Sequence, residues 1–146
     1  MTVSAALAIT GAVVALAIVC GFIVRAQDGR RRTGGHLQVR SEDLAGQPLA
    51  TTATLVQFST QLCARCPQVR RLLGQIADQH AGIEHVEIDL TNRNDLATRY
   101  HVLQTPTTFL VDASGMVLSR WGGVAHRSAI EDALASVLTP HPQEQK

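Results

Sequence analysis

Ala53-Thr54-Leu55-Val56-Gln57-Phe58-Ser59-Thr60-Gln61-Leu62-Cys63-Ala64-Arg65-Cys66-Pro67 sets two thiols at C-x-x-C spacing between an apolar run and a helical pattern. The first six residues read as a buried strand and Ser59 to Leu62 as a short connection. Val69, Leu72, Leu73 and Ile76 then recur at the spacing of one helix face. Cys63 is therefore expected to open a helix. At that end the backbone N–H groups lack intrahelical partners and the macrodipole is positive, which favours thiolate over thiol. Cys66, one turn deeper, is suited to resolve a mixed disulfide formed by Cys63.

Other uses of the pair compete with a redox role. C-x-x-C is half of many zinc sites, but the chain has no second C-x-x-C or H-x3-5-H, and His36, His80, His85, His101, His126 and His141 are scattered. Two unrelated buried cysteines are a poorer account, because strand, loop, C-x-x-C and helix in succession is the setting of a redox dithiol. The 146 residues suffice for one domain and an appendage. A net charge of +1 with acids and bases interspersed speaks against a nucleic-acid partner.

The appendage is N-terminal. Residues 1–24 carry no charged side chain, and Val3 to Val24 are mostly Ala, Val, Ile and Leu. About 22 residues at 1.5 Å each reach roughly 33 Å, enough for a bilayer core. A cleaved signal peptide would want basic residues ahead of a shorter apolar run, and Val24-Arg25-Ala26 is a poor cleavage site. Lipoprotein processing at Cys20 would want a small residue where Val19 stands. An uncleaved transmembrane anchor is the expectation. Arg25, Arg30, Arg31 and Arg32 just after the span place the adjoining domain on the cytoplasmic side of the cell membrane by the positive-inside rule. The reverse, extracytoplasmic topology is the alternative. Residues 25–35 read as a basic, Gly-containing juxtamembrane linker whose arginines stop transfer or touch anionic head groups.

Beyond the linker, strand and helix patterns alternate. His36 to Arg40 are expected as a first strand and Ser41 to Leu44 as a helical turn. After the strand ending at Phe58 comes a helix from Cys63 to about Gln79, then a strand over Ile83 to Leu90 and a short helix over Asn94 to Tyr100. Thr107 to Val111 and Met116 to Trp121 flank the turn residues Asp112-Ala113-Ser114-Gly115 and form a hairpin. Ser128-Ala129-Ile130-Glu131 matches a capping box for a last helix that stops before Pro140. The order β-α-β-α-β-β-α predicts an α/β domain over residues 36–139, with a 140–146 tail. Its central mixed sheet is flanked by helices, with parallel pairing in the first half and an antiparallel hairpin in the second.

With these elements in order, residues 36–139 resemble the thioredoxin family, on three markers: Cys63-Ala64-Arg65-Cys66, Thr105-Pro106-Thr107 before a strand, and Gly122-Gly123 after the hairpin. The resemblance implies a cis Thr105-Pro106 bond facing the dithiol. It also implies a substrate groove to which Thr105 contributes and which Gly122 or Gly123 borders. There are departures. Leu62 stands where the best-known members have Trp, and Ala64-Arg65 where they have Gly-Pro. A fixed positive charge roughly 4 Å from a thiolate is worth up to about 4 kcal/mol at an effective dielectric of about 20, and about 1 in water. Arg65 would thus stabilise the reduced pair, or else point to solvent and recruit acidic partners. Gln57 replaces a buried aspartate associated with proton relay, and His85, on the next strand, is the alternative acceptor, directly or through water. Pro67 is also unusual there.

The expected function is a membrane-tethered thiol-disulfide oxidoreductase that reduces protein disulfides, with Cys63 as nucleophile and Cys66 as resolving thiol. It calls for no metal or organic cofactor. Its partners would be membrane-proximal disulfide proteins, an upstream reductant, and the bilayer through residues 3–24. The alternatives are an exported oxidoreductase of the cytochrome-maturation or disulfide-forming kind, and a non-enzymatic adaptor or C-x-x-C metal-binding module.

Overall fold

Strand β2, Ala53–Ser59, is buried along its whole length. The computed structural model describes residues 3–27 and 29–139, and β2 has neighbours on both edges. It pairs in parallel with β3, Ile83–Asp89, and antiparallel with β4, Thr107–Asp112. β4 continues antiparallel to β5, Val117–Gly122, and β5 to β1, Arg31–Thr33, giving the sheet order β1-β5-β4-β2-β3.

Side-chain alternation sends the two halves of each strand into different cores. Ala53 and Leu55 join Leu110 and Trp121 against Val69, Leu73 and Ile76 of α2, Cys66–Asp78, and Ile130 and Leu134 of α4, Arg127–Leu138. Val56, Phe58, Val86, Ile88 and Phe109 face the other way, onto Leu96 of α3, Asn94–Arg99, and onto Tyr100 and Leu44. Phe58 meets Tyr100 and Phe109 with ring centres 5.5 and 4.9 Å apart. Each fully buried large apolar side chain contributes about 1.5–3 kcal/mol. The buried Asp43 carboxylate accepts from Tyr100 Oη at 2.5 Å and from Arg99 Nη1 at 2.8 Å, tying the short 3-10 turn Ser41–Asp43 to α3.

Helix α1, Val3–Gln27, is a candidate membrane span by length and composition: the most apolar 18-residue stretch within Val3–Ala26 has a mean hydropathy of 2.7 and none of it is buried. The anticipated tail, residues 140–146, lies outside the described residues.

Three local expectations are corrected. The first strand is not His36 to Arg40, which contributes only the isolated bridge Gln38↔Met116. It is Arg31–Thr33, inside the stretch read as a free linker. Glycines explain how so short and charged a segment docks. A Cβ on Gly29 would lie 2.5 Å from the Val124 carbonyl oxygen, and one on Gly34 would overlap the carbonyl oxygen of Val117. These glycines therefore permit close backbone approach, and Gly29 N–H donates to the Gly122 carbonyl at 2.7 Å. Second, the capping box does not form: Arg127 is already helical, and its guanidinium pairs with Glu131 and reaches Gln75 of α2. Third, α2 begins at Cys66 rather than Cys63.

The docked strap makes a prediction. Gly34→Ala lowers the urea-unfolding stability of the full chain in mild detergent by on the order of 1–3 kcal/mol, through the clash with Val117. Gly74→Ala, inside α2 with open space around its Cα, is neutral or stabilises by up to about 1 kcal/mol. Equal effects of the two substitutions would mean that the strap is not docked.

Candidate functional site: the dithiol and its groove

The connection from β2 to α2 closes through two successive turns, with Cys63 N–H donating to the Thr60 carbonyl at 3.1 Å and Cys66 N–H to that of Cys63 at 3.2 Å. Cys63 and Cys66 are joined by a disulfide with their Cα atoms 5.4 Å apart. The turns hold Cys63 just ahead of the helix and half-buried, while Cys66, only 2% exposed, occupies its first position. The two sulfurs therefore have unequal access to a partner. Pro67 sits in the first helical turn, where a missing N–H costs no intrahelical bond, so it has an ordinary helix-starting role. Ala64 and Arg65 are both exposed, and Arg65 is the residue that caps α2.

The other two sequence markers converge on this turn. The Thr105-Pro106 peptide bond is cis. Thr105 Oγ1 lies 3.3 Å from the hydroxyl of Thr60, the residue whose carbonyl anchors Cys63. Gly123 N–H donates to the Pro106 carbonyl at 2.7 Å. Gln104 lies across Gly122, with its Nε2 where a Cβ would otherwise stand. Around this arrangement Leu62 and Leu103 are 97% and 96% exposed, which leaves two large apolar side chains open at the surface of the site.

Beneath the dithiol lies a polar chain. Gln57, fully buried, donates from Nε2 to the Cys66 carbonyl at 3.0 Å, and its Oε1 lies 3.1 Å from His85 Nε2. A carbonyl only accepts, so the amide nitrogen must face Cys66 and the amide oxygen must face His85. His85 Nε2 accordingly carries hydrogen. Burial pushes the His85 pKa below its ordinary value; Glu87 opposes this and Arg70 reinforces it. Burial would raise the Glu87 carboxyl, but its hydrogen bonds with Arg70 and Ser59 and the Arg70 charge outweigh that and lower it. His85 thus meets Cys66 through Gln57, which cannot itself accept a proton at physiological pH. In the same cross-strand row, Thr108 Oγ1 and Trp121 Nε1 are buried and find no hydrogen-bond partner among the described residues.

Sequence reading missed Leu103, Gln104 and Arg120 as neighbours of the site. Gln104 alone carried a local signal, since it directly precedes the Thr105-Pro106 marker.

The profile of the thioredoxin family matches residues 41–136. Thioredoxin C-2 of Corynebacterium nephridii is 30% identical over 82 residues, covering 56% of this chain and 75% of that protein. Mitochondrial thioredoxin of Mus musculus is 27% identical over 88 residues, 60% of this chain, which spans only about half (52%) of the mouse protein. Among solved structures, a mutant thioredoxin from Halobacterium salinarum superposes with a TM-score of 0.56 at 23% identity, covering 73% of this chain and 91% of that one. Reduced Schistosoma mansoni thioredoxin pre-protein gives 0.52 at 18%, covering 64% and 85%. At these identities the two structures bear on fold alone. The family profile, together with the bonded cysteine pair at C-x-x-C spacing, makes this chain a member of the thioredoxin family and a thiol-disulfide oxidoreductase.

Proposed function

We propose that the protein is a membrane-tethered reductase of protein disulfides. The observation that carries this reading is the unequal setting of the two cysteines: Cys63 is half-buried on a turn beside the Thr105-Pro106 loop, and Cys66 is buried directly behind it. In the reduced protein, Cys63 thiolate attacks one sulfur of a substrate disulfide. The substrate S–S bond breaks, one substrate sulfur leaves and takes up a proton, and a mixed disulfide forms on Cys63. Cys66, having lost its proton, attacks the Cys63 sulfur and releases the second substrate thiol. Two electrons have then passed to the substrate, and the Cys63–Cys66 disulfide remains for an upstream dithiol reductant to reopen. The cycle asks for no metal or organic cofactor.

Helix α1 supplies the tether, and Arg25 with Arg30 to Arg32 favours a cytoplasmic domain that works on membrane-proximal substrates. His85 and Gln57 position Cys66 by holding its carbonyl. Because Gln57 stands between them, a proton from Cys66 reaches His85 only through water.

In an insulin-type assay driven by dithiothreitol, Cys63→Ser abolishes turnover, whereas Cys66→Ser accumulates a mixed disulfide on Cys63. Turnover by Cys63→Ser would end the proposed mechanism. A midpoint potential near about −270 mV supports a reductase, and one near about −120 mV supports oxidation on the outer face. His85 makes a separate prediction. Its folded pKa lies below the ordinary value of 6.5, so between those two pH values the unfolded chain binds more protons than the folded one. Its contribution to stability is full above about pH 6.5 and is lost as pH falls toward and through the folded pKa. His85→Gln flattens that part of the melting-temperature profile. If His85→Ala leaves the pH profile of turnover unchanged, the relay through water is wrong.

A further inference from the structure

The sheet edge beside the groove concentrates positive charge that the redox step does not use. Arg32 of β1 is the cross-strand partner of Arg120 of β5, so both side chains leave the sheet on one face. Like charges directly opposite one another destabilise a sheet. Burial, and then the charge of Arg32, push the Arg120 pKa below the usual guanidinium value.

What holds Arg120 in place is neutral: its Nη2 donates to the His101 carbonyl at 3.0 Å, and its Cζ lies 5.2 Å from the centre of the Phe109 ring. Five arginines elsewhere in the chain, Arg40, Arg70, Arg93, Arg99 and Arg127, are neutralised by carboxylates. Among the described residues no carboxylate pairs with Arg30, Arg32 or Arg120. These three line a single cleft with Arg65, Leu103, Gln104 and Gly122, and its other wall is the C-terminal end of α1, with Cys20, Val24 and Arg25. Gln104 adjoins Thr105 and Gly122 adjoins Gly123, so the cleft is continuous with the groove over Pro106.

We propose that this cleft is an acidic-residue subsite. Arg32 and Arg120, with Arg30, receive the carboxylate of an Asp or Glu lying a few residues from the substrate cysteine under attack, and exposed Leu103 meets an apolar neighbour. The planar donor fork of arginine suits a carboxylate, and an incoming anion relieves the Arg32–Arg120 repulsion. The protein therefore selects acidic disulfide-bearing segments. Reduction of the bound segment rests on the oxidoreductase reading, whereas the charge preference in binding stands apart from it.

The test uses the full chain in nanodiscs of zwitterionic lipid. Two fluorescent peptides with one internal disulfide are compared, one with Asp and Glu flanking the cysteines and the other with Asn and Gln. Both anisotropy binding and reduction rate are measured. The acidic peptide should bind more tightly and show a kcat/KM about three- to ten-fold higher at low salt, an advantage that shrinks toward unity in about 0.5 M salt. Arg32→Gln should remove most of that advantage while leaving the amide peptide unchanged, and Arg32→Lys should keep much of it. Arg120→Gln should act in the same direction as Arg32→Gln.

Reduction of both peptides at equal rates overturns the subsite and leaves the enzymatic reading standing. Acid-selective binding that depends on Arg32, without reduction of either peptide, supports the subsite and overturns the enzymatic reading. An equal loss for both peptides in Arg32→Gln means a general structural role and overturns the proposal. So does loss of the acidic preference once anionic lipid is added to the nanodiscs, because head groups would then be the occupant.

Discussion

Burial of β2 on both faces, with a bonded neighbour on each edge, fixes the place of both thiols. The strand cannot shift register without moving Leu55 and Phe58 into the wrong cores, so its C-terminal end is a rigid launch point for the turn that carries Cys63. Thr60 then anchors Cys63 through its carbonyl and the Thr105 loop through its hydroxyl. The consequence is chemical. Cys63 is half-buried just ahead of α2 and its partner lies at the buried first position of that helix, an asymmetry that separates attack from resolution.

The same strand brings Gln57 under Cys66. An acid at this position could exchange a proton. The amide instead makes a fixed donor–acceptor bridge, from the His85 N–H to the Cys66 carbonyl. Burial keeps charge off the His85 imidazole against the pull of Glu87, whose own carboxylate is held ionised by Arg70. The polar chain thus gives a rigid setting for the resolving cysteine and a neutral histidine at physiological pH.

Much of this was legible in the sequence because the signals were local. The apolar runs at Ala53 to Phe58 and Thr107 to Val111, the alternation through Val86, Ile88 and Leu90, and the C-x-x-C between strand and helix each declared themselves within a short window. β1 did not. Three exposed residues, Arg31–Thr33, show neither alternation nor apolar content, and their pairing with Ser119 to Trp121 depends on backbone contacts with a distant strand. Next to an apolar span, such a run reads as a stop-transfer signal. The facing of Arg32 and Arg120 was hidden for the same reason, and the Ser128 capping pattern misled because Arg127 found partners on Glu131 and Gln75 within the folded chain.

Competitive labelling of the freshly reduced full chain with limiting iodoacetamide, read by mass spectrometry across a pH series, tests the asymmetry of the two thiols most directly. The structure predicts that label accumulates on Cys63 first at every pH of the series, because Cys63 is half-buried whereas Cys66 is only 2% exposed. Equal labelling of both cysteines, or label appearing first on Cys66, would contradict the division of roles between attacking and resolving thiol.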